Sequence, residues 1–143
     1  RSIATMSSVI NSAPNFSDIR VFADMGLLCF SGNGAFPLPA LTMGAVGSID
    51  APLALAPWHY RQLFDAWESG DMATAQKLQD GVRRFVDLVW MYGAPAHVCK
   101  TVLSARLGMD CGSTLPPVNR LDDSEKQEVL KVAGALGLLE RRA

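Results

Sequence analysis

Two short apolar runs without polar alternation mark the first third of the chain. One is Leu27-Leu28-Cys29-Phe30, bounded by Gly26 and by Ser31-Gly32-Asn33-Gly34. The other is Ala45-Val46-Gly47-Ser48-Ile49, bounded by Gly44 and by Asp50-Ala51-Pro52. Runs of this kind predict parallel strands buried on both faces, as in βα units. Residues 35–43 supply a crossover helix between them, with Pro37 and Pro39 forcing a late or irregular start. A weaker apolar patch at residues 6–10 predicts a strand ending near Ile10. Residues 14–25 then predict a helix, because Phe16, Ile19, Phe22 and Met25 approximate a 3.6-residue period and Gly26 can cap it.

From Pro57 onward the period is helical. Tyr60, Leu63, Phe64 and Trp67 fall at i, i+3, i+4 and i+7, one apolar face. Ser69-Gly70-Asp71 breaks that helix, and Asp71 caps the next, which carries Ala75, Leu78, Val82, Phe85 and Val89 and stops at Tyr92-Gly93. Pro95 opens a third helix, striped by Val98, Val102 and Ala105 and closed by Gly108. After a loop at 109–119, Asp122 and Glu125 make a capping-box pair for the last helix, whose buried face is Val129, Val132, Ala133 and Leu136. Gly134 inside it costs about 1 kcal/mol relative to alanine, which predicts close packing at that point.

Composition narrows the partners. A chain of 143 residues can hold one core, and a hydrophobic fraction of 49% predicts that part of its surface is buried against another chain. No apolar run approaches the roughly 20 residues of a bilayer span, so a membrane is not expected. No charged-then-apolar leader opens the chain. The start at Arg1-Ser2, without methionine, reads as a processed chain or a piece of a longer one. A net charge of −1 offers no basic field for nucleic acid. Cys29, Cys99 and Cys111 are odd in number and lack CxxC spacing, which reads as free thiols in a reducing cytoplasm.

His59 and His97 have no acidic residue or second histidine at ligand spacing, and His97 and Cys99 point to different sides of a helix. A zinc site needs four convergent groups, so no metal is expected and His97 reads as a helix-surface residue. Asp122, Asp123 and Glu125 read as helix-start charges rather than catalytic carboxylates. Arg83-Arg84 is expected to face solvent or a neighbouring subunit, and Trp58, Trp67 and Trp90 to anchor a core or an interface.

One order of segments bears on function: Ser31-Gly32-Asn33, then Gly44 to Ile49, then Gly70-Asp71 with Ala75-Gln76-Lys77-Leu78. Lys100 ahead of Gly108, Leu115-Pro116 before Leu121 and Leu136-Gly137-Leu138 follow. This order resembles the dihydrodipicolinate synthase / N-acetylneuraminate lyase family of class I, pyruvate-dependent aldolases. The resemblance implies an α/β fold, a (β/α)8 TIM barrel followed by a C-terminal helical bundle. A whole barrel needs about 250 residues. Residues 1–56 would therefore be the barrel's last βα units and residues 57–143 the C-terminal helical domain.

The family's chemistry starts from a lysine on the sixth strand, which forms a Schiff base with pyruvate or another 2-oxo acid; the protonated imine is an electron sink that lets a carbanion form beside it. In this chain the lysine slot falls on Ile10, or on Thr5 under another gap placement, and the first lysine is Lys77, deep in a helical stripe. The family's carboxylate-gripping Gly-Thr/Ser-Thr/Ser-Gly-Glu motif and its proton-shuttling tyrosine belong to the absent first half, and Tyr60 and Tyr92 lie in other contexts. Asn33-Gly34 takes the place of the acidic residue that sugar-acid lyases carry after the seventh strand. No residue here is therefore assigned a catalytic role, and no cofactor is implied. What carries over is a wall of the 2-oxo-acid site: Gly32, Asn33, Gly47, Ser48 and Ile49, with glycine allowing close backbone approach.

The expected function is thus the C-terminal portion of a Schiff-base aldolase or lyase, inactive alone, in a homo-oligomer or bound to the missing N-terminal half. The alternative is a non-catalytic helical interaction module or a degenerate homologue.

Overall fold

The computed structural model describes residues 6–140. Its first part alternates strand and helix: β1 (Ser8–Asn11), α1 (Ser17–Asp24), β2 (Leu28–Ser31), α2 (Pro37–Thr42) and β3 (Gly47–Ser48). The strands form one parallel sheet in that order, with Ile10 beside Phe30 and Phe30 beside Gly47. Pairing of the third strand extends past its two regular residues, because Val46 N–H donates to Cys29 O and Ile49 N–H to Ser31 O, each at 2.8 Å. The crossover helix begins at Pro37, the first-turn position where a missing N–H costs nothing.

The expectation of strands buried on both faces holds for one face only. Side chains alternate across a strand. On the face covered by α1 and α2, Cys29 is fully buried and packs with Ile19, Ala40 and Ala45. On the other, Ile10 and Leu28 are 50% and 53% exposed and Phe30 is half-buried. Three strands carry two apolar faces, and the helices among the described residues cover one of them.

Beyond the sheet the chain is helical, as its period predicts. A short helix absent from the sequence reading, α3 (Ala51–Leu55), is started by Asp50, whose Oδ1 accepts the Leu53 N–H at 2.9 Å. Then come α4 (Pro57–Glu68), α5 (Met72–Val89), a 3-10 turn at Met91–Gly93, α6 (Pro95–Leu107) and α7 (Asp123–Ala135). These helices share a second, larger core around Leu55, Tyr60, Leu63, Val82, Val98 and Val129, and Leu38 of α2 joins it. Arg106 of α6 ties back to α3 by donating to Leu55 O and Ala54 O while lying over the Trp58 ring. The last helix has the full capping box expected of Asp122 and Glu125. No helix among the described residues is long and apolar enough to cross a membrane.

Three side-chain expectations are overturned. Gly134 is exposed, and a Cβ there would meet Leu139 Cδ1 at an ordinary 3.6 Å, so no close approach requires the glycine. The helical glycine that does allow close approach is Gly81, where a Cβ would lie 2.5 Å from His59 Cε1. His97 is not on the surface: it is buried, and its Nδ1 accepts the Leu121 N–H at 2.7 Å. Lys77, placed deep in its stripe by the sequence pattern, is exposed on α5.

Candidate functional site at the strand ends

Because the strands are parallel, their carboxyl ends meet along one edge. The loops leaving that edge are held by short polar side chains. Asn11 Oδ1 accepts the Ala13 N–H at 2.9 Å, and Asn33 Oδ1 accepts the Ala35 N–H at 3.3 Å. From α5, Gln79 clamps the β2–α2 connection: its Nε2 donates to Ala35 O at 2.8 Å and its Oε1 accepts the Leu38 N–H at 3.0 Å. Gly32 is required by sterics, since a Cβ there would collide with Ser12 Oγ and lie 2.8 Å from Ile10 Cγ2. The side chain of Ile10 is therefore directly beside Gly32.

A cleft of about 310 Å³ opens at this edge. Ser12, Gly32, Asn33 and Gly34 line it from the first two loops, Asp50 from the third and Trp90 from the end of α5. Asp50 is the ionisable group among them. Tyr60, buried in α4, brings its hydroxyl within 3.2 Å of Gly34 O and 3.3 Å of Asp50 Oδ1, and its single proton serves one acceptor at a time. Asp50 Oδ2 is buried with no hydrogen-bond partner among the described residues. Burial raises the Asp50 pKa above the ordinary carboxylate range, and the bonds from Leu53 and Tyr60 pull it down by less. Burial, then the adjacent carboxylate, raises the Tyr60 phenol in turn. The pair is a half-buried acid that keeps its proton to higher pH than a solvated aspartate, beside a buried phenol that stays neutral.

Of the five residues the sequence reading assigned to the wall, Gly32 and Asn33 line the cleft. Gly47, Ser48 and Ile49 lie on or just after β3 and do not: Gly47 is buried against the Phe30 ring, Ser48 is half-buried and Ile49 is 51% exposed. No lysine among the described residues lines the cleft: Lys77 is exposed on α5 and Lys100 donates to Ser113 O at 3.1 Å. Among the described residues no three His, Cys, Asp or Glu side chains gather as a metal site. Sequence reasoning missed Ser12, Asp50 and Tyr60. Asp50 carried one signal, an Asp-Ala-Pro start typical of a capped helix. Nothing in the sequence joins it to Tyr60.

Comparison with known proteins agrees with this architecture. A family model described as the dihydrodipicolinate synthetase family matches residues 2–136. The curated 4-hydroxy-tetrahydrodipicolinate synthase of Syntrophus aciditrophicus is 28% identical over 137 residues, which is 96% of this chain and 46% of that protein. The chain thus spans less than half the length of that relative. Among solved structures, a catalytic-lysine mutant of the Ruminococcus gnavus sialic acid aldolase superposes with a TM-score of 0.81 at 24% identity, covering 92% of this chain and 43% of that one. A prophage protein of Escherichia coli K12 from the dihydrodipicolinic acid synthase family, in complex with pyruvate, gives 0.78 at 20% identity, covering 92% and 46%. The structural likenesses speak for the fold, and the match along residues 2–136 makes this chain a member of the dihydrodipicolinate synthase / N-acetylneuraminate lyase family.

Proposed function

We propose that the chain is the C-terminal segment of a Schiff-base aldolase or lyase acting on pyruvate or a related 2-oxo acid, and that by itself it lacks the amine that forms the imine. Residues 1–56 are read as the last βα units of a (β/α)8 barrel and residues 57–143 as its C-terminal helical domain. The observation that carries this reading is the strand-end cleft, with Gly32, Asn33, Gly34 and Asp50 along it and the aliphatic Ile10 beside Gly32. Active sites of barrels lie at the carboxyl ends of their strands. The synthase and aldolase names of the relatives, and pyruvate in one of the solved structures, support the substrate class.

In the whole enzyme this segment supplies part of a wall. Gly32 and Asn33, which line the cleft, bring backbone close to the 2-oxo acid, with Gly47, Ser48 and Ile49 supporting that wall from the neighbouring strand. Asp50 adds a carboxyl that holds its proton to higher pH than a solvated one. The absent strands would cover the exposed side of Ile10, Leu28 and Phe30, either from the N-terminal half or from another subunit of a homo-oligomer. Three unpaired cysteines fit a cytoplasmic setting. Ile10 also supports a second reading, a degenerate homologue that keeps the fold and serves as an interaction module, because no alkane side chain can form an imine.

Borohydride trapping tests the proposal. Incubated with pyruvate and then reduced, the wild-type chain is expected to show no adduct on Lys77, Lys100, Lys126 or Lys131, while Ile10→Lys gains one reduced pyruvate at residue 10. Preferential labelling of Lys77 or Lys100 in the wild type would sink the claim that the chain lacks the amine. Labelling of the variant no stronger at residue 10 than at the surface lysines would sink the assignment of the cleft.

A further inference from the structure

A second cavity, about 620 Å³, lies between α6, α7 and the loop that joins them, and shares no lining residue with the strand-end cleft. His97 lines it from the first turn of α6 and is 6% exposed. Its Nδ1 accepts the Leu121 N–H at 2.7 Å, and a nitrogen that accepts a hydrogen bond carries no proton. The neutral ring is therefore the Nε2–H tautomer. No hydrogen bond among the described residues reaches Nε2. Nε2–H is therefore a donor left to whatever occupies the cavity that His97 lines.

The rest of the lining is rich in donors. Arg120 and Lys126 reach the cavity from the loop and from α7. Arg120 spends only its Nε on Thr114 O, at 2.7 Å, which leaves both terminal guanidinium nitrogens without a hydrogen-bond partner among the described residues. Lys126 pairs with Asp123 at 2.9 Å, an ion pair open to solvent, and Lys100 of α6 binds the neutral Ser113 carbonyl. Ser104 Oγ accepts the Cys111 N–H at 2.9 Å, so its own proton is available to a ligand. Asp110 is the acidic residue of the lining, and its Oδ1 already accepts the Gly112 N–H at 2.7 Å. Asp122 on α7 is likewise engaged, with the N–H of Glu125. Burial, then Lys126, Arg120 and Lys100, lowers the His97 pKa, so the three cations act together on one ring.

We infer that this cavity binds a small oxyanion, the phosphate or carboxylate group of a metabolite, through His97 Nε2–H, the Arg120 guanidinium and the Lys126 ammonium. Three donors on the lining of one cavity, two of them charged, match an acceptor-only group. At about 620 Å³ the cavity holds more than the anionic group itself, and Ser104 and Asp110 are placed to meet hydroxyl or amino substituents of the same molecule.

The test follows the histidine ring resonances of the full chain by NMR while inorganic phosphate or acetate is added against chloride at constant ionic strength. His97 is expected to appear as the Nε2–H tautomer before addition. It should then move saturably, with its titration midpoint rising by about one pH unit as the anion offsets the three cations. His59, whose Nε2 is bound to Leu78 O, should stay in place as the internal reference. Lys126→Gln and Arg120→Gln should each weaken binding about tenfold, the scale of one charge-assisted bond. Saturation with phosphate alone marks a phosphate site, and comparable saturation with acetate marks a carboxylate site. An Nδ1–H tautomer, a response no different from chloride, or unchanged affinity in Lys126→Gln would overturn the inference. The lysine variant is decisive because its side chain is partly exposed and supports no loop, whereas Arg120 also braces the Thr114 carbonyl.

Discussion

Two glycines inside helices, Gly81 in α5 and Gly134 in α7, should respond to alanine with opposite signs. Alanine is favoured over glycine in a helix interior by about 1 kcal/mol. At Gly134 nothing opposes that gain: the new methyl meets Leu139 Cδ1 at 3.6 Å, an ordinary contact. Its place one residue before the helix end reduces the benefit, so Gly134→Ala should stabilise by about 0.5 kcal/mol. At Gly81 the methyl would lie 2.5 Å from His59 Cε1 and 2.6 Å from Nε2. The ring must retreat by about 1 Å to reach a normal separation. It is held by a 2.7 Å bond from Nε2 to Leu78 O and by edge-on packing against Phe85 at 4.9 Å between centroids. Losing the bond costs about 1 kcal/mol and losing the ring contact about another. Together these outweigh the helical gain, and Gly81→Ala should destabilise by about 1 kcal/mol. Urea unfolding followed by circular dichroism, at one protein concentration, measures both variants. In a His59→Ala background the obstacle is gone, and Gly81→Ala should become stabilising. A Gly81→Ala variant that gains as much as Gly134→Ala with His59 present would refute the steric argument.

Three further outcomes are expected. Asp50, with its folded pKa raised, contributes stability that is full below the unfolded value of about 4 and is lost as pH rises through the folded one. Asp50→Asn should therefore gain on the wild type between pH 4 and pH 7 in urea midpoints; parallel curves would show that the carboxyl does not titrate abnormally. Exposed Asp65, Asp71 and Asp122, whose pKa values are lowered, act in the opposite sense but are common to both proteins. Among the thiols, half-buried Cys111 should react first with an aromatic disulfide; Cys29 is fully buried, and Cys99 is pushed up to about 11 by burial, so both should wait for unfolding. Light scattering of the purified chain should show association, and a cooperative monomer near 15.4 kDa that ignores hydrophobic dyes would show that the open sheet face needs no partner.

What the sequence disclosed follows from how local each signal is. The strands at residues 27–31 and 45–49 were legible because glycine-bounded apolar runs need no tertiary information, and β2 and β3 pair in parallel as expected. The α4 face was legible for the same reason, with Tyr60 and Leu63 fully buried and Phe64 and Trp67 half-buried. The helix at Ala51–Leu55 was not, because five residues are too few to show a 3.6 period and Pro52 reads as a break. His97 was misread since polarity alone suggests a surface, while its burial depends on the Leu121 N–H, which arrives from 24 residues away. Asp50 and Tyr60 come from different helices, and their approach depends on how α3 and α4 pack. Gly134 has no structural explanation in its surroundings.

The same alternation that makes the strands readable explains why the sheet is incomplete as it stands. Cys29 and its neighbours satisfy one face through α1 and α2, while Ile10 and Leu28 leave the opposite face half exposed with apolar side chains. Apolar residues at strand positions facing away from the covering helices are retained at a cost in solubility unless something else buries them. The side chain of Ile10, on that uncovered face, also lies beside Gly32, which lines the strand-end cleft. A partner that covers the face at Ile10 would therefore also reach the rim of the cleft. An Ile10→Lys variant places a charge on that shared surface. If its pyruvate labelling and its state of association change together, the two functions of the face are coupled; labelling that is indifferent to association would separate them.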